Sequence, residues 1–264
     1  DMILGALVDA GLSIDGLRDS LRKLNAKGYD ISSMNACRGG INGTLVSVDQ
    51  DSIGRKRRGS ADFIDVIRSS SLSESVVEKS LKIFKNLADA EARVHGTPVE
   101  QVTLHELGEV DTLVDVVGSV LGLEMLGVDE VFCSALAAGS GFVKTEHGYL
   151  SVPTPATLAL FEMAKAPVSP TPGGIPDTGE MTTPTGAAIL TTLATFERPN
   201  MTVSKTGYGL GSRNPDEYPN AIRICLGESN DGHPRDNLLI LETNIDDMSG
   251  EILGYSVGRV PQSC

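Results

Sequence analysis

The chain has 264 residues, of which 40% are hydrophobic and 22% are charged, and its formal net charge is −13. This length and composition suit one large domain or two modest ones, so extensive disorder is not expected. The negative charge disfavours general nucleic-acid binding, which relies on Lys and Arg at phosphates, and it favours a cation as ligand.

Cysteine usage and hydropathy indicate the compartment. The four cysteines are widely scattered, with no CxxC pair and no secretory leader, which is typical of a reduced cytoplasmic protein. The most apolar stretch, Leu113 to Val128, is short for a membrane span and is interrupted by Asp115 and Glu124. We therefore expect a cytoplasmic protein with no membrane attachment.

The chain begins with a helical pattern and continues with paired strands. Residues Met2 to Asn25 show helical spacing that is broken near Gly11, with Ser13 placed to cap a second helix. Residues Tyr29 to Val48 show strand-like alternation with several glycines at turn or bulge positions. Because Asp1 leads directly into a helical pattern, we expect that a segment precedes it.

Helices and strands alternate through the middle of the chain. Ser75 and Glu78 are spaced as in a capping box, and helical spacing continues from them toward His95. A strand is predicted over Glu130 to Ala137 and a helix over Pro155 to Lys165. The alternation predicts an α/β or α+β fold with a mixed sheet and packing helices, and it leaves the topology open.

A change of composition near the C-terminal end predicts a domain boundary. A polar cluster over Glu228 to Pro234 is followed by a strand pattern over Leu238 to Leu241. We therefore predict a first domain over residues 1–228, and a linker with the start of a second domain over residues 229–264.

The strongest candidate site is a short segment that contains His105, Glu106 and Asp111 and leads into an apolar helix bearing Asp115. Asp111 and Asp115 are four residues apart, so they share one helix face. A buried carboxylate needs a cation, several hydrogen bonds or a metal ion to stabilise its charge. No arginine or lysine occurs from Val94 to Phe142. The pattern favours a metal site, although Asp111 as a helix cap is the alternative interpretation.

Three further segments are candidates for binding an anion. The glycine-rich stretch from Gly139 to Gly148 also contains Ser140, Lys144 and His147. Thr183 and Thr185 stand at a predicted helix start, and Arg213 ends another glycine-rich loop. The alternatives are an exposed glycine turn and a Thr-capped helix.

Other residues are predicted to lie outside the candidate sites. His95 and His233 are predicted to lie at the surface, as is Glu91. The sequence contains neither a nucleophile-elbow string nor a Walker motif, so a hydrolase triad and a P-loop are not supported.

Taken together, these segments resemble the LarC family of nickel-insertion proteins, whose members act in the maturation of lactate racemase. The similarity extends along almost the whole chain, and the strings occur in the family's order. They are His105 to Gly108 with Asp111 and Asp115, Gly139 to Gly148, Pro153 to Thr157, Glu180 with Thr183 to Ala188, and Gly207 to Arg213.

The resemblance implies a nickel chelatase of the lyase class, a cyclometallase. Its substrate is a pyridinium-3,5-bisthiocarboxylate mononucleotide, which becomes the nickel-pincer nucleotide. The resemblance implies use of CTP with Mg or Mn, bound mainly by a C-terminal domain that starts about where this chain ends. We therefore expect the chain to be incomplete for turnover without that domain, with apo lactate racemase as a further partner and a homo-oligomer as an open alternative.

Two departures from the family pattern stand out. The family usually has a second histidine where this chain has Thr103, and its opening strand and first glycine-rich loop belong ahead of Asp1.

The sequence hypothesis is a nickel-inserting protein with oxygen and imidazole ligands. The expected nickel ligands are His105, Glu106, Asp111, Asp115 and His147, and no catalytic residue is assigned. The expected substrate-binding residues are Ser140, Lys144, Thr183, Thr185 and Arg213. The alternatives are a non-catalytic metal-binding scaffold or oligomerisation module, which need not turn over, and a metal-dependent hydrolase, which activates water.

Overall fold

The computed structural model describes residues 1–56, 58–102, 104, 107–171, 175–229 and 237–243. In this part of the chain, the α-helices are α1 Met2–Asp9, α2 Ile14–Leu21, α3 Ser60–Arg68, α4 Glu74–His95, α5 Val110–Met125, α6 Pro155–Ala164 and α7 Pro184–Leu193. The strands are β1 Tyr29–Arg38, β2 Ile41–Gln50, β3 Glu130–Cys133, β4 Leu136–Ala137, β5 Gly139–Ser140, β6 Phe142–Thr145, β7 Gly148–Ser151, β8 Val168–Ser169, β9 Gly179–Glu180, β10 Ala194–Thr195, β11 Met201–Leu210, β12 Ala221–Ser229 and β13 Asn237–Thr243.

The main sheet is mixed, which confirms the predicted fold class as α+β. Its seven strands follow the order β1-β2-β11-β12-β13-β3-β10. Pairs β1–β2, β11–β12 and β12–β13 are antiparallel, whereas β2–β11, β13–β3 and β3–β10 are parallel. Three small two-stranded sheets, β4–β8, β5–β9 and β6–β7, lie apart from it.

Strand β13 lies beyond the predicted domain boundary at residue 228. It pairs with β12 on one side and with β3 on the other, so it is an interior strand of the main sheet. Residues 237–243 therefore contribute to the same sheet as the residues before them. The division into residues 1–228 and 229–264 stays a prediction.

Local sequence explains the N-terminal elements. Ser13 caps α2, as predicted, because its hydroxyl accepts a hydrogen bond from the Gly16 N–H at 3.2 Å. Gly39 and Gly40 form the turn between β1 and β2 with φ of 52° and 84°, a region that side chains disfavour. The predicted helix pair and strand pair are therefore confirmed.

The N-cap of helix α4 lies two residues before the predicted one. The cap is Ser73, whose hydroxyl accepts from the Val76 N–H, and not Ser75. The helix ends at His95, where Gly96 takes the left-handed conformation with φ of 62°. Among the described residues, no helix is long and apolar enough to cross a membrane.

Helix α1 lies unusually close to the sheet because glycines face it. A Cβ added to Gly209 of β11 would overlap the carbonyl oxygen of Met2, and one added to Gly207 would overlap that of Ala6. On the helix side, a Cβ on Gly5 would lie 2.5 Å from the Thr44 carbonyl oxygen. These contacts fix where the first residues of α1 lie.

We expect Gly209→Ala to lower the free energy of unfolding by about 1–3 kcal/mol, because the added methyl group forces α1 away from β11. In a chain of this size that corresponds to a fall in Tm of several degrees, about 2–4 °C per kcal/mol, measured by circular dichroism.

Gly16→Ala is the matched control for this substitution. Gly16 is inside α2, and its added Cβ would meet the flexible end of Met125 at 3.2 Å. Replacing a helix-interior glycine is expected to leave stability unchanged or raise it by about 0.5–1 kcal/mol. Equal Tm values for the two variants would contradict the close approach of α1 to β11.

Candidate functional site

A cavity of about 460 Å³ lies where several helix ends meet. We call it the interhelix cavity. Its wall includes the first residues of α1, α5, α6 and α7, the last turn of α4, the β6–β7 hairpin and the segment before β12. This volume is in the range of small-molecule binding sites.

One face of α5 supplies the acidic part of the wall. From Val110 to Gly122 every residue of α5 is buried except Asp111 and Asp115, which are half-buried and line the cavity. This confirms that the two aspartates share a face of the helix. A helix that is apolar on its other faces packs against neighbours on all of them, so its carboxylates face the one open space.

The two carboxylates have few partners. Asp111 accepts a hydrogen bond from the Thr112 N–H at 2.7 Å, and Asp115 contacts the N-terminal ammonium of Asp1 at 2.7 Å. In the described part of the chain, neither forms an ion pair with a lysine or arginine side chain. Glu109 is the N-cap residue of α5, so Asp111 is the second residue of the helix and does not cap it.

The electrostatics at Asp111 favour a bound cation. Burial raises the pKa of the Asp111 carboxyl, and the negative charges of Asp115 and Glu109 raise it further, against the lowering effect of the Thr112 N–H. Each cause that raises this pKa reflects a penalty on the ionised form. A cation between Asp111 and Asp115 removes that penalty.

Ser119 continues the same stripe and was missed by sequence reasoning. It lies four residues after Asp115, lines the interhelix cavity, and is only 1% exposed. Its hydroxyl has no hydrogen-bond partner among the described residues. A buried hydroxyl without a partner is costly unless a ligand supplies one.

Two histidines from distant segments face each other at the cavity wall. His147 lies in the β6–β7 turn, where its backbone N–H donates a hydrogen bond to Thr145 Oγ1 at 3.1 Å. Its ring centroid is 5.2 Å from that of His95, and the ring planes are inclined by 52°. His95 Nε2 lies 3.3 Å from Glu91 Oε2, one helical turn earlier on α4.

His95 and Glu91, which the sequence predicts at the surface, are half-buried and line the cavity, with side chains 27% and 12% exposed. Their i,i+4 spacing at the end of a helix was the pattern that could have paired them in advance. Their location on the wall depends on how α4 packs, which the sequence does not show.

Arg213, Thr183 and Thr185 lie on the cavity wall together with Glu180, whose carboxylate accepts a hydrogen bond from Thr154 Oγ1 at 2.8 Å. Arg213 donates to the Glu180 carbonyl oxygen at 2.7 Å and to that of Thr178 at 3.4 Å. In the described residues its guanidinium contacts no carboxylate, so its positive charge is available to an anion. The Thr183 hydroxyl accepts from the Gly186 N–H at 3.2 Å, as the helix-cap alternative predicted.

Ser140 and Lys144 do not line the cavity. The Ser140 N–H donates a hydrogen bond to Thr178 Oγ1 at 3.0 Å, and the Thr178 N–H donates one to the Ser140 hydroxyl at 3.3 Å. Lys144 lies between Val143 and Thr145, which both line the cavity, so strand alternation directs the Lys144 side chain to the opposite, exposed face. Their roles in binding substrate stay predictions.

His105 and Glu106 lie outside the described residues, as does Thr103. Within the residues that are described, no group of three His, Cys, Asp or Glu side chains is placed to hold a metal ion. Cys133 does not line the cavity, and burial raises the pKa of its thiol to about 12. The cavity thus offers oxygen and imidazole donors instead of thiolate.

The family comparison covers nearly the whole chain, since the family described as "Nickel insertion protein" matches residues 1–263. A protein of Roseiflexus castenholzii named for nickel insertion is 47% identical over 259 residues, which is 97% of this chain and 64% of the relative. Similarly named proteins of Dictyoglomus thermophilum and Citrifermentans bemidjiense are 40% and 41% identical over 267 residues, 98% of this chain and 66% of each relative.

The chain thus spans slightly less than two thirds of the length of these relatives. No solved structure matches it. Because the family match extends from the first residue of α1 past the last described strand, and so includes every residue of the interhelix cavity, the chain belongs to the nickel insertion protein family.

Proposed function

We propose that this chain holds Ni²⁺ in the interhelix cavity and inserts it into a pyridinium-3,5-bisthiocarboxylate mononucleotide, forming the nickel-pincer nucleotide of lactate racemase. One observation carries the proposal. In the described part of the chain, one cavity is lined both by carboxylates that pair with no lysine or arginine side chain, Asp111 and Asp115, and by the Arg213 guanidinium, which contacts no carboxylate. Such a cavity suits a metal cation and an anionic small molecule together.

The nickel ligands in this proposal are oxygen and imidazole donors. Asp111 and Asp115 supply carboxylates and His147 an imidazole, with His105 and Glu106 as further proposed ligands. Donors of this type bind divalent nickel, but they hold it less strongly than soft sulfur donors do. Nickel held in this way can pass to the sulfur and carbon donors of the substrate.

The anionic groups of the substrate are proposed to lie against Arg213, Thr183 and Thr185. The starts of α6 and α7 are also on this wall, and the positive end of a helix dipole favours phosphate and carboxylate. Ser119 supplies a buried hydroxyl to a polar atom of the bound molecule. Arg213 also donates hydrogen bonds to two backbone carbonyls at β9, so this side chain both positions this part of the wall and gives it positive charge.

CTP, with Mg or Mn, is proposed to act in the longer protein as a cyclometallase co-substrate. This chain spans 64% of the Roseiflexus castenholzii relative, and the resemblance assigns the CTP site mainly to the C-terminal domain. The comparison that tests this is precursor conversion with nickel and CTP by the chain alone, by a full-length relative, and by the chain with that domain added.

We expect Asp115→Asn to weaken Ni²⁺ binding at least about tenfold, because it removes a charged ligand from a half-buried position. Isothermal titration calorimetry of the purified chain measures the affinity. Asp65→Asn is the control, since Asp65 is exposed on α3 and does not line the cavity.

Equal affinity in both variants and in the unchanged chain would remove Asp115 from the site. A chain that takes up no nickel at all would favour the oligomerisation-module alternative over the proposed function.

We expect Ser119→Ala to weaken binding of the mononucleotide precursor about three- to tenfold, the value of one hydrogen bond. Ser80→Ala is a matched control, because the Ser80 hydroxyl is also buried, has no partner in the part of the chain that the structure describes, and does not line the cavity. Both variants are expected to be as stable as the parent chain or more so, since each loses an unsatisfied hydroxyl.

Spectroscopic titration measures the affinity for the precursor, and thermal denaturation measures the stability of each variant. Parallel behaviour of the two serine variants in both measurements would show that Ser119 makes no contact with the substrate.

A further inference from the structure

The segment that carries Arg213 is a loop between β11 and β12. We call residues 211–220 the Arg213 loop. It is closed at its base, where the Gly211 N–H donates to the Asn220 carbonyl oxygen at 2.9 Å. The Asn220 side-chain amide donates to the Arg213 carbonyl oxygen at 3.1 Å. These bonds hold the backbone of Arg213 near the base of the loop.

A second arginine, Arg38, holds this loop from the edge of the main sheet. It is the last residue of β1, and its Nε donates to the carbonyl oxygens of Gly211 at 2.9 Å and Arg213 at 3.2 Å. Its Nη1 donates to the carbonyl oxygen of Cys37 at 3.0 Å, so the guanidinium is also bound to its own strand. Hydrogen bonds from a charged donor are stronger than those between neutral groups. Arg38 thus links β1 directly to the backbone of Arg213.

The Arg213 loop is also held by packing and by a tyrosine. An added Cβ on Gly39, in the β1–β2 turn, would lie 3.0 Å from Pro219 Cβ, so that turn lies against the loop. On the other side, the Tyr218 hydroxyl donates to the Thr178 carbonyl oxygen at 3.0 Å. The Arg213 guanidinium donates to the same oxygen at 3.4 Å. The loop is therefore held both by the main sheet and by the segment before β9.

Arg38 lies behind the wall that the loop forms. Arg213, Tyr218 and Asn220 line the interhelix cavity, whereas Arg38 does not. A binding side chain on a loop must be ordered when its ligand binds, and that ordering costs part of the binding free energy. Contacts that order the loop beforehand reduce this cost, so a residue outside the cavity can raise the affinity for a ligand inside it.

We propose that Arg38 is a positioning residue that holds Arg213 in place to bind the phosphate group of the mononucleotide. This inference rests on the proposed function, in which Arg213 binds an anionic group of the substrate. The two thiocarboxylates of that substrate bind nickel, so the phosphate is the anionic group that remains for Arg213. A guanidinium suits a phosphate because its planar donors match the phosphate oxygens.

The test is calorimetric titration with the precursor, with the same molecule after removal of its phosphate, and with Ni²⁺. Arg38→Gln is expected to weaken binding of the phosphorylated form about two- to tenfold, because Arg213 is then less ordered before binding. The affinities for the dephosphorylated form and for Ni²⁺ should stay unchanged. Arg22→Gln is the control, because it removes the same charge from an exposed arginine outside the cavity wall, and it should change none of the three affinities.

Two further measurements separate positioning from other effects. Because Arg38 acts through Arg213, adding Arg38→Gln to Arg213→Gln is expected to cost no further affinity for the phosphorylated form. Arg38→Lys keeps the charge but lacks the planar fork of donors, so it should recover only part of the affinity that Arg38→Gln loses. Thermal denaturation of each variant shows that the chain is folded.

The results also separate this inference from the proposed function. Equal losses for the phosphorylated and dephosphorylated forms, or losses that multiply fully in the double variant, would overturn the role of Arg38 and leave the proposed function standing. Full recovery in Arg38→Lys would also overturn that role, because charge alone would then explain the effect. If Arg213→Gln bound the phosphorylated form as tightly as the parent chain, the anion-binding wall of the proposed function would fail together with the role of Arg38.

Discussion

The charged stripe on the buried helix α5 is the constraint on which the rest of the cavity depends. Between Val110 and Gly122 only Asp111 and Asp115 are not fully buried, and no lysine or arginine side chain of the described residues neutralises them. Two carboxylates one turn apart on an apolar helix carry a desolvation cost and a repulsion, and both raise the pKa of Asp111. A cation relieves both costs. In the proposed function, metal binding and the placement of α5 are therefore linked, because a ligand that binds only the folded state stabilises that state.

The other walls come from elements that are far apart in the sequence. Close packing of α1 against the glycines of β11 brings the first residues of the chain to Asp115. The long helix α4 ends at the cavity because Gly96 terminates it there, which places His95 beside His147. Arg213 holds the carbonyls on either side of Gly179 and so fixes the opposite wall. The carboxylates of Asp111 and Asp115 and the Arg213 guanidinium thus line one space, and no ion pair joins them among the described residues.

Short-range patterns predicted what depends on local geometry. The four-residue interval between Asp111 and Asp115 placed both on one face, and Ser13 and the paired strands were found where expected, because helix and strand periods act within a few residues. Strand order, and the positions of His95 and Glu91, depend on packing between distant segments, so spacing along the chain did not give them. Lys144 illustrates the same limit, since its face of β6 is set by how the hairpin lies against the helices. Ser119 was missed because a single serine in an apolar helix is distinguished only by its unpaired hydroxyl, which is a property of the folded structure.

The donor types in the cavity also set the direction in which nickel moves. Carboxylate and imidazole must lose their protons to bind a metal, so each ligand competes with protons as well as with other donors. The buried thiol of Cys133, with a pKa of about 12, is neither ionised near neutral pH nor on the wall. In the proposed function, the described residues of the wall present nickel with no thiolate, whereas the substrate brings two thiocarboxylate groups. In the proposed function, softer sulfur donors on a substrate held in the same cavity bind the nickel more strongly than carboxylate and imidazole do. Protein thiolates on the wall would compete with that substrate for the ion, whereas oxygen and imidazole donors compete less strongly with it.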